Sequence, residues 1–174
     1  MAKKKQAPFV AAVPAPVITY WTEQVQGAVG RKAFFVDTAA ILESLAPNDS
    51  EFGQFFDELV GERLVTSTYV VAETVSRMVK SKPRQFVGPG GEQNFALALY
   101  FVRRWLIDRN VVVLCVPDFI FEYAKEHFAG IEHVGCDLVD TLSYVIVRGL
   151  GQERIISRDT HFQQLGLMCY PRAS

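Results

Sequence analysis

The chain has few cysteines and no long apolar run, and both absences narrow the class of protein. Its three cysteines, Cys115, Cys136 and Cys169, form no Cys-x-x-Cys pair. An odd number of widely spaced cysteines does not make a disulfide framework, so we expect a reducing compartment, the cytoplasm. No apolar stretch approaches the roughly 20 residues of a membrane-spanning helix. We therefore expect no association with a membrane.

A basic excess is also missing, although the charge is unevenly distributed. The formal net charge of the 174 residues is −1. This balance at first argues against a nucleic-acid partner, because proteins that bind phosphates usually carry a surplus of Lys and Arg. Residues 1–32, however, hold five basic side chains and one acidic one, and the rest holds 13 basic and 18 acidic ones. The acidity of the remaining chain becomes informative if several carboxylates converge on one place.

The composition does provide for one globular domain. Hydrophobic residues make up 49% of the chain and charged residues 21%, a balance that excludes intrinsic disorder. We predict a Pro-rich, partly basic arm over residues 1–32 and a single domain over residues 33–174. The arm begins like a secretory signal, but prolines interrupt its apolar stretch and no small-x-small cleavage site follows cleanly, so we do not expect secretion.

Short apolar runs alternate with helical patterns from residue 33 onwards. We predict strands over residues 33–36, 64–66, 111–116 and 154–157, with a final extended segment around 167–170. We predict helices over residues 39–45, 51–59, 70–80, 93–108, 118–127 and 137–148. Strands separated by helices indicate βα units, hence a parallel sheet with helices on both faces.

Four acidic residues fall where such a sheet places its sites. In open parallel α/β sheets, ligands bind beyond the carboxyl ends of the strands. Asp37 and Asp159 each follow a predicted strand, and Glu73 lies one to two turns into the helix after the second strand. Asp140 lies in the first turn of a later helix. We therefore expect four carboxylates to meet at one edge of the sheet.

A cluster of carboxylates needs a positive partner, because like charges a few ångströms apart raise each other's pKa and destabilise the fold. Oxygen-only ligation selects a hard cation such as Mg²⁺ or Mn²⁺, which typically acts on phosphate esters. Such an ion lowers the pKa of a bound water, and a second ion can stabilise the leaving oxygen. The acids therefore favour a site for one or two ions.

Each acid alone also has a structural explanation. Asp137 is most simply the N-cap of the helix that follows it, and we favour that role over ligation. Asp37 could be a cap in the same way, and Asp159 could be a turn residue. Glu73 is the hardest to explain structurally, since its apolar neighbours place it near a buried face. Their joint occurrence favours a site.

Four segments of the chain, in this order, match a known family. They are FFVDTAAIL at 34–42, VTSTYVVAETV at 65–75, LVDTLSY at 138–144 and IISRDTHF at 155–162. Together they resemble the signature segments of PIN-domain ribonucleases, and the match spans about residues 33–172. In its core the chain is similar to the VapC-type toxins of toxin–antitoxin pairs. The arm and a Pro/Gly loop at 82–91 depart from those compact toxins.

The resemblance implies a three-layer α/β/α sandwich around a parallel sheet of four or five strands. It also implies an endoribonuclease that depends on Mg²⁺ or Mn²⁺. The catalytic and metal-binding acids that it indicates are Asp37, Glu73, Asp140 and Asp159. The three aspartates would lie nearest the metal, with Glu73 orienting a ligand or water. The residues that it places in support are Thr38, Ser157 and Asp137.

RNA, an antitoxin protein and a second copy in a homodimer are the expected partners. Exposed aromatic residues of the predicted helices would suit either protein partner. Five basic residues are candidates for binding an RNA backbone, with a solvated loop as the alternative. They are Arg77, Lys80, Lys82, Arg84 and Arg158. His161 is interpreted as a packing residue rather than a general base.

Two other functions stay open. A non-catalytic scaffold that keeps the PIN fold and binds RNA or protein would show no metal binding. A structure-specific DNA nuclease of related fold would carry larger insertions and extra acids, which are not evident here. A small upstream reading frame encoding a DNA-binding protein would favour the toxin.

Overall fold

A parallel sheet forms the centre of the computed structural model, which describes residues 18–20, 32–45, 50–81, 94–131 and 134–172. Among these residues its strands are β1 (Ile18–Tyr20), β2 (Phe34–Val36), β3 (Leu64–Ser67), β4 (Val112–Cys115), β5 (Arg154–Ile156) and β6 (Met168–Tyr170). Their spatial order is β1-β4-β3-β2-β5-β6, and every pair of neighbours is parallel. The predicted parallel sheet is therefore confirmed.

Helices connect the strands. Those in the described part of the chain are α1 (Thr38–Ser44), α2 (Glu51–Glu58), α3 (Thr68–Ser81), α4 (Phe95–Asp108), α5 (Asp118–Ile131), α6 (Leu138–Gly149) and α7 (Thr160–Gln164). Helix α1 packs against α2 and α3, and α3 packs against α4, while α5 packs against α6. Right-handed crossovers place the helices that join β2, β3 and β4 opposite those that join β4, β5 and β6. The three-layer α/β/α class is confirmed.

The centre of the sheet is apolar because both of its faces are covered by helices. All three residues of β2 are buried, and Phe35 is among the largest fully buried side chains. Helix α2 adds Phe52 and Phe56 to this core, and Ser50 begins the helix by accepting a hydrogen bond from the Gly53 N–H. The sheet is thus a rigid base for the polar residues at its carboxyl edge.

Two elements were not expected. Residues Ile18–Tyr20, inside the predicted arm, pair with Val113, Leu114 and Cys115 as a parallel edge strand. The five-residue helix α7 follows Asp159, where a turn was the structural explanation. The rest of residues 1–31 and the loop at 82–91 lie outside the described residues, so the domain boundary at residue 33 stays a prediction.

The described chain gives two further facts about its class. All three cysteines are free thiols. A search of the described helices finds none with the length and apolar character required to cross a membrane.

Candidate functional site

Strands β2 and β5 are neighbours, and a polar residue directly follows each of them. Val36 pairs with Ile156, so Asp37 and Ser157 leave the sheet side by side. The Ser157 hydroxyl donates to Asp37 Oδ2 over 2.8 Å, and the Asp159 N–H donates to Ser157 Oγ over 3.0 Å. Ser157 therefore orients Asp37 and joins it to the turn that carries Asp159. These contacts fit the supporting role that the resemblance implies for Ser157, which stays a prediction.

Asp37 is almost fully buried, with 4% of its surface exposed. It occupies the N-cap position of α1, but its carboxylate makes no capping hydrogen bond. Burial, together with the negative charge of Glu73, raises the pKa of Asp37 to about 6, against the opposing effect of the Ser157 hydrogen bond. Helix capping therefore does not explain this acid. Its charge is costly unless a cation lies close to it.

Asp140 reaches the same edge from the first turn of α6. Asp137 is the N-cap of that helix, as the sequence predicts, and its Oδ1 accepts the Asp140 N–H over 2.9 Å. In return, Asp140 Oδ2 accepts the Asp137 N–H over 3.0 Å, which completes a capping box. Burial and the charges of Asp137, Asp37 and Asp159 raise the pKa of Asp140 to about 7. The cap thus fixes the carboxylate of Asp140 near the other acids.

Asp159 is the N-cap of α7, and its Oδ1 accepts the His161 N–H over 2.9 Å. The same turn brings the imidazole of His161 to the acids, with Nδ1 at 2.8 Å from Asp159 Oδ1. Ligand atoms of Asp140, Asp159 and His161, one from each residue, lie within 4.8 Å of one another. Sequence reasoning left His161 outside the site. The Asp-x-His spacing at the start of a helix is the sequence feature that could have indicated that His161 lies beside Asp159.

Glu73 differs from the three aspartates because both of its oxygens have partners. The Thr38 hydroxyl donates to Oε2 over 2.7 Å, and Arg77 Nη2 lies 2.6 Å from Oε1. The same Arg77 nitrogen lies 3.8 Å from Asp137 Oδ2, so the guanidinium links α3 to α6. Glu73 is still close enough to Asp37 to raise its pKa. These contacts suit a positioning role for Glu73 better than direct ligation.

Of the other basic residues predicted to bind RNA, the structure describes Arg158 and Lys80, and neither forms an ion pair with the three aspartates. Arg158 points away from Asp159, and its Nη2 lies 2.7 Å from Glu51 Oε2. It therefore does not neutralise the site, and any RNA contact would compete with this ion pair. Lys80 is exposed in the last turn of α3. Lys82 and Arg84 lie outside the described residues.

The donor set fits a divalent cation. Within the described ranges, no lysine or arginine forms an ion pair with Asp37, Asp140 or Asp159. Burial is the largest cause of the raised pKa values of Asp37 and Asp140, and the negative charges of the neighbouring acids add to it. Mg²⁺ and Mn²⁺ bind carboxylate oxygens and would offset that charge.

Two thiols border the acids without joining them. Burial and the charges of Asp140, Asp159 and Asp137 raise the pKa of Cys136 to about 11. Burial and the charges of Asp159 and Asp37 do the same for Cys169, also to about 11. The described ligand atoms that lie within 4.8 Å of one another belong to Asp140, Asp159 and His161, and neither thiol is among them.

Comparisons with known proteins bear on the fold. The model of the PIN domain family matches residues 34–167. The crystal structure of Mycobacterium tuberculosis VapC20, a sarcin-ricin loop cleaving toxin, has a TM-score of 0.61 and covers 78% of this chain and 96% of its own. At 20% sequence identity the likeness lies in the fold. No curated protein sequence matches the chain.

Proposed function

Because this chain belongs to the PIN domain family, we propose that it is a metal-dependent endoribonuclease that hydrolyses RNA phosphodiester bonds. The family and the VapC-like fold support a nuclease of the toxin–antitoxin type. One observation on this chain's own residues supports the proposal. Asp37, Asp140 and Asp159 converge at the carboxyl edge of the sheet with no lysine or arginine paired to them in the described structure.

The three aspartates would hold Mg²⁺ or Mn²⁺, with one or two ions both compatible with the donor set. Bound there, a divalent cation supplies charge stabilisation to the phosphoryl oxygens and a water acidic enough to attack near neutral pH. Ser157 keeps the Asp37 carboxylate in one orientation, and the capping box does the same for Asp140. Glu73, held by Thr38 and Arg77, lies where it can orient a water beside Asp37.

The proposals for substrate, partners and compartment rest on the same family. We propose RNA as the substrate, an antitoxin protein as a partner, a homodimer as the assembly and the cytoplasm as the compartment. Exposed aromatic side chains on α4 and α5 supply apolar surface for a protein partner. They are Phe95, Phe101, Phe119 and Tyr123.

The test is cleavage of structured and unstructured RNAs by the purified protein in the presence of Mg²⁺ or Mn²⁺. Asp37→Asn and Asp140→Asn should be inactive. Asp57→Asn is the matched control, since Asp57 is exposed on α2 and pairs only with Arg109 at 3.7 Å. Equal cleavage by the wild type and the first two variants would contradict the proposal. Absence of both cleavage and metal binding would instead favour the non-catalytic scaffold.

A further inference from the structure

We propose that His161 is a ligand of the metal, so that the site combines one imidazole nitrogen with carboxylate oxygens and prefers Mn²⁺ to Mg²⁺. The inference rests on the proposed function, because it requires a divalent cation at Asp140 and Asp159. It adds a residue and a nitrogen donor that an all-carboxylate site would not have.

The first support is an imidazole nitrogen without a hydrogen bond. Nδ1 of His161 is buried and has no hydrogen-bond partner, although it lies 2.8 Å from Asp159 Oδ1. The two atoms are close but are not aligned as donor and acceptor. Neighbouring ligands of an octahedral cation with bonds of about 2.1 Å lie about 3 Å apart. The 2.8 Å between Nδ1 and Oδ1 therefore fits two ligands on one ion as well as it fits an ion pair.

The second support is the way in which the imidazole is held. Gly135 has a φ of +87°, and a Cβ at this position would lie 3.0 Å from His161 Nε2. Glycine therefore serves both the backbone conformation and the close approach of the ring. The turn that precedes α6 thus restricts one side of the imidazole, while Asp159 lies at the other nitrogen. Both contacts fix the ring beside Asp140 and Asp159.

A nitrogen ligand has a consequence for the choice of metal. Mg²⁺ binds oxygen almost exclusively, whereas divalent transition metals also accept imidazole. Removing His161 should therefore weaken Mn²⁺ binding more than Mg²⁺ binding. If His161 instead formed an ordinary ion pair with Asp159, its loss would leave this ratio unchanged. The ratio of the two affinities thus separates a ligand from a neighbouring charge.

Pulsed electron paramagnetic resonance of the Mn²⁺-loaded full chain tests the inference, because it detects nitrogen bound directly to Mn²⁺. The wild type should show ¹⁴N coupling, which should change to ¹⁵N coupling when the protein is labelled with [¹⁵N]histidine. His161→Asn should lose the coupling, whereas His127→Asn should keep it, since His127 is a half-buried residue of α5 whose Nδ1 lies 3.0 Å from the Tyr123 carbonyl oxygen. Calorimetry should show Mn²⁺ affinity falling about 10-fold in His161→Asn, with Mg²⁺ affinity changed much less.

The failure of this inference is distinguishable from the failure of the proposed function. Bound Mn²⁺ without nitrogen coupling in the wild type would overturn the role of His161 and leave the nuclease in place. Coupling that persists in a folded His161→Asn protein would overturn it as well. Absence of Mn²⁺ binding together with absence of RNA cleavage would overturn both. The isotope experiment needs no substitution, so it tests whether His161 binds the metal even if His161→Asn does not fold.

Discussion

The acidic edge of the sheet has two halves that differ in how their charge is balanced. In the paired half, Glu73 and Asp137 lie on either side of Arg77, with its Nη2 at 2.6 and 3.8 Å from their oxygens. In the unpaired half, Asp37 and Asp140 have only hydrogen bonds from Ser157 and from the backbone. The unpaired half also includes Asp159, which faces His161. Among the residues that the structure describes, an arginine or lysine thus balances the charge of one half and not of the other.

We infer from this difference that the carboxylates of the two halves have different roles. Arg77 follows Glu73 by one helical turn on α3, a spacing at which opposite charges meet. The paired half therefore needs no further cation and can serve to position groups. Burial and neighbouring acids raise the pKa values of Asp37 and Asp140 to about 6 and about 7, so ionised carboxylates are costly in the unpaired half. We assign the metal to that half.

The largest effect is expected in the unpaired half. Asp37→Asn removes one of the proposed metal ligands, so RNA cleavage should fall by about 10³-fold and Mn²⁺ binding should be lost. Cleavage rates and calorimetry on the same preparation measure both. Retained Mn²⁺ binding in this variant would mean that the metal lies elsewhere.

A smaller effect is expected in the paired half. Glu73→Gln keeps the shape of the side chain and should slow cleavage by about 10- to 100-fold, the usual cost of losing a group that orients a ligand. Because the glutamate does not hold the ion, Mn²⁺ affinity should stay close to that of the wild type. If Mn²⁺ binding fell as far as in Asp37→Asn, the distinction between the two halves would be wrong.

The unpaired half should also make metal-free stability depend on pH. Since the folded pKa values of Asp37 and Asp140 lie above the ordinary 3.8, the folded protein binds more protons than the unfolded chain between about pH 4 and 7. The free energy of unfolding contributed by these groups therefore falls as pH rises. The melting temperature without metal should be lower at pH 8 than at pH 5 by about 5 °C.

Two further measurements, one with Mn²⁺ and one on a variant, test the cause of this pH dependence. Mn²⁺ binds only the folded protein, so it should raise the melting temperature most at pH 8, where the carboxylates are ionised. Asp37→Asn should flatten the dependence. A metal-free melting temperature that rises from pH 5 to pH 8 would contradict the unbalanced charge.

The smallest effect is expected for Arg77→Met. Glu73 would lose one of its two side-chain partners, so the turnover rate should fall about 10-fold. Mn²⁺ binding should not weaken, because removing a positive charge favours a cation nearby. Steady-state kinetics distinguish the loss of a contact that positions Glu73 from the loss of a contact that binds RNA. A higher KM with unchanged kcat would mean that Arg77 contacts RNA, as the sequence suggested, rather than positioning Glu73.

Apolar runs and strand ends were sufficient to predict the sheet and the positions of the acids. Asp37 and Asp159 were predictable because polar residues after parallel strands share one edge. The directions of the side chains were harder to predict. Arg158 is adjacent to Asp159 in sequence, but successive side chains of an extended chain point to opposite sides, and Arg158 pairs with Glu51 instead.

His161 and β1 were missed for a different reason. Helix α7 has five residues, too few for a helical period to be recognised, so its first turn could not be foreseen to bring His161 to the acids. The three residues of β1 lie in a Pro-rich stretch, and their partner strand lies far along the chain. The position of His161 depends on a single turn, and β1 depends on contacts with a strand distant in sequence. Local sequence patterns indicate neither.

Anomalous diffraction from crystals of the wild type soaked in Mn²⁺ tests the assignment of the metal to the unpaired half most directly. We expect an anomalous peak within ligand distance of the carboxylates of Asp37, Asp140 and Asp159, and none between Glu73 and Arg77. A peak beside Glu73 and Asp137, or no peak at the three aspartates, would contradict that assignment.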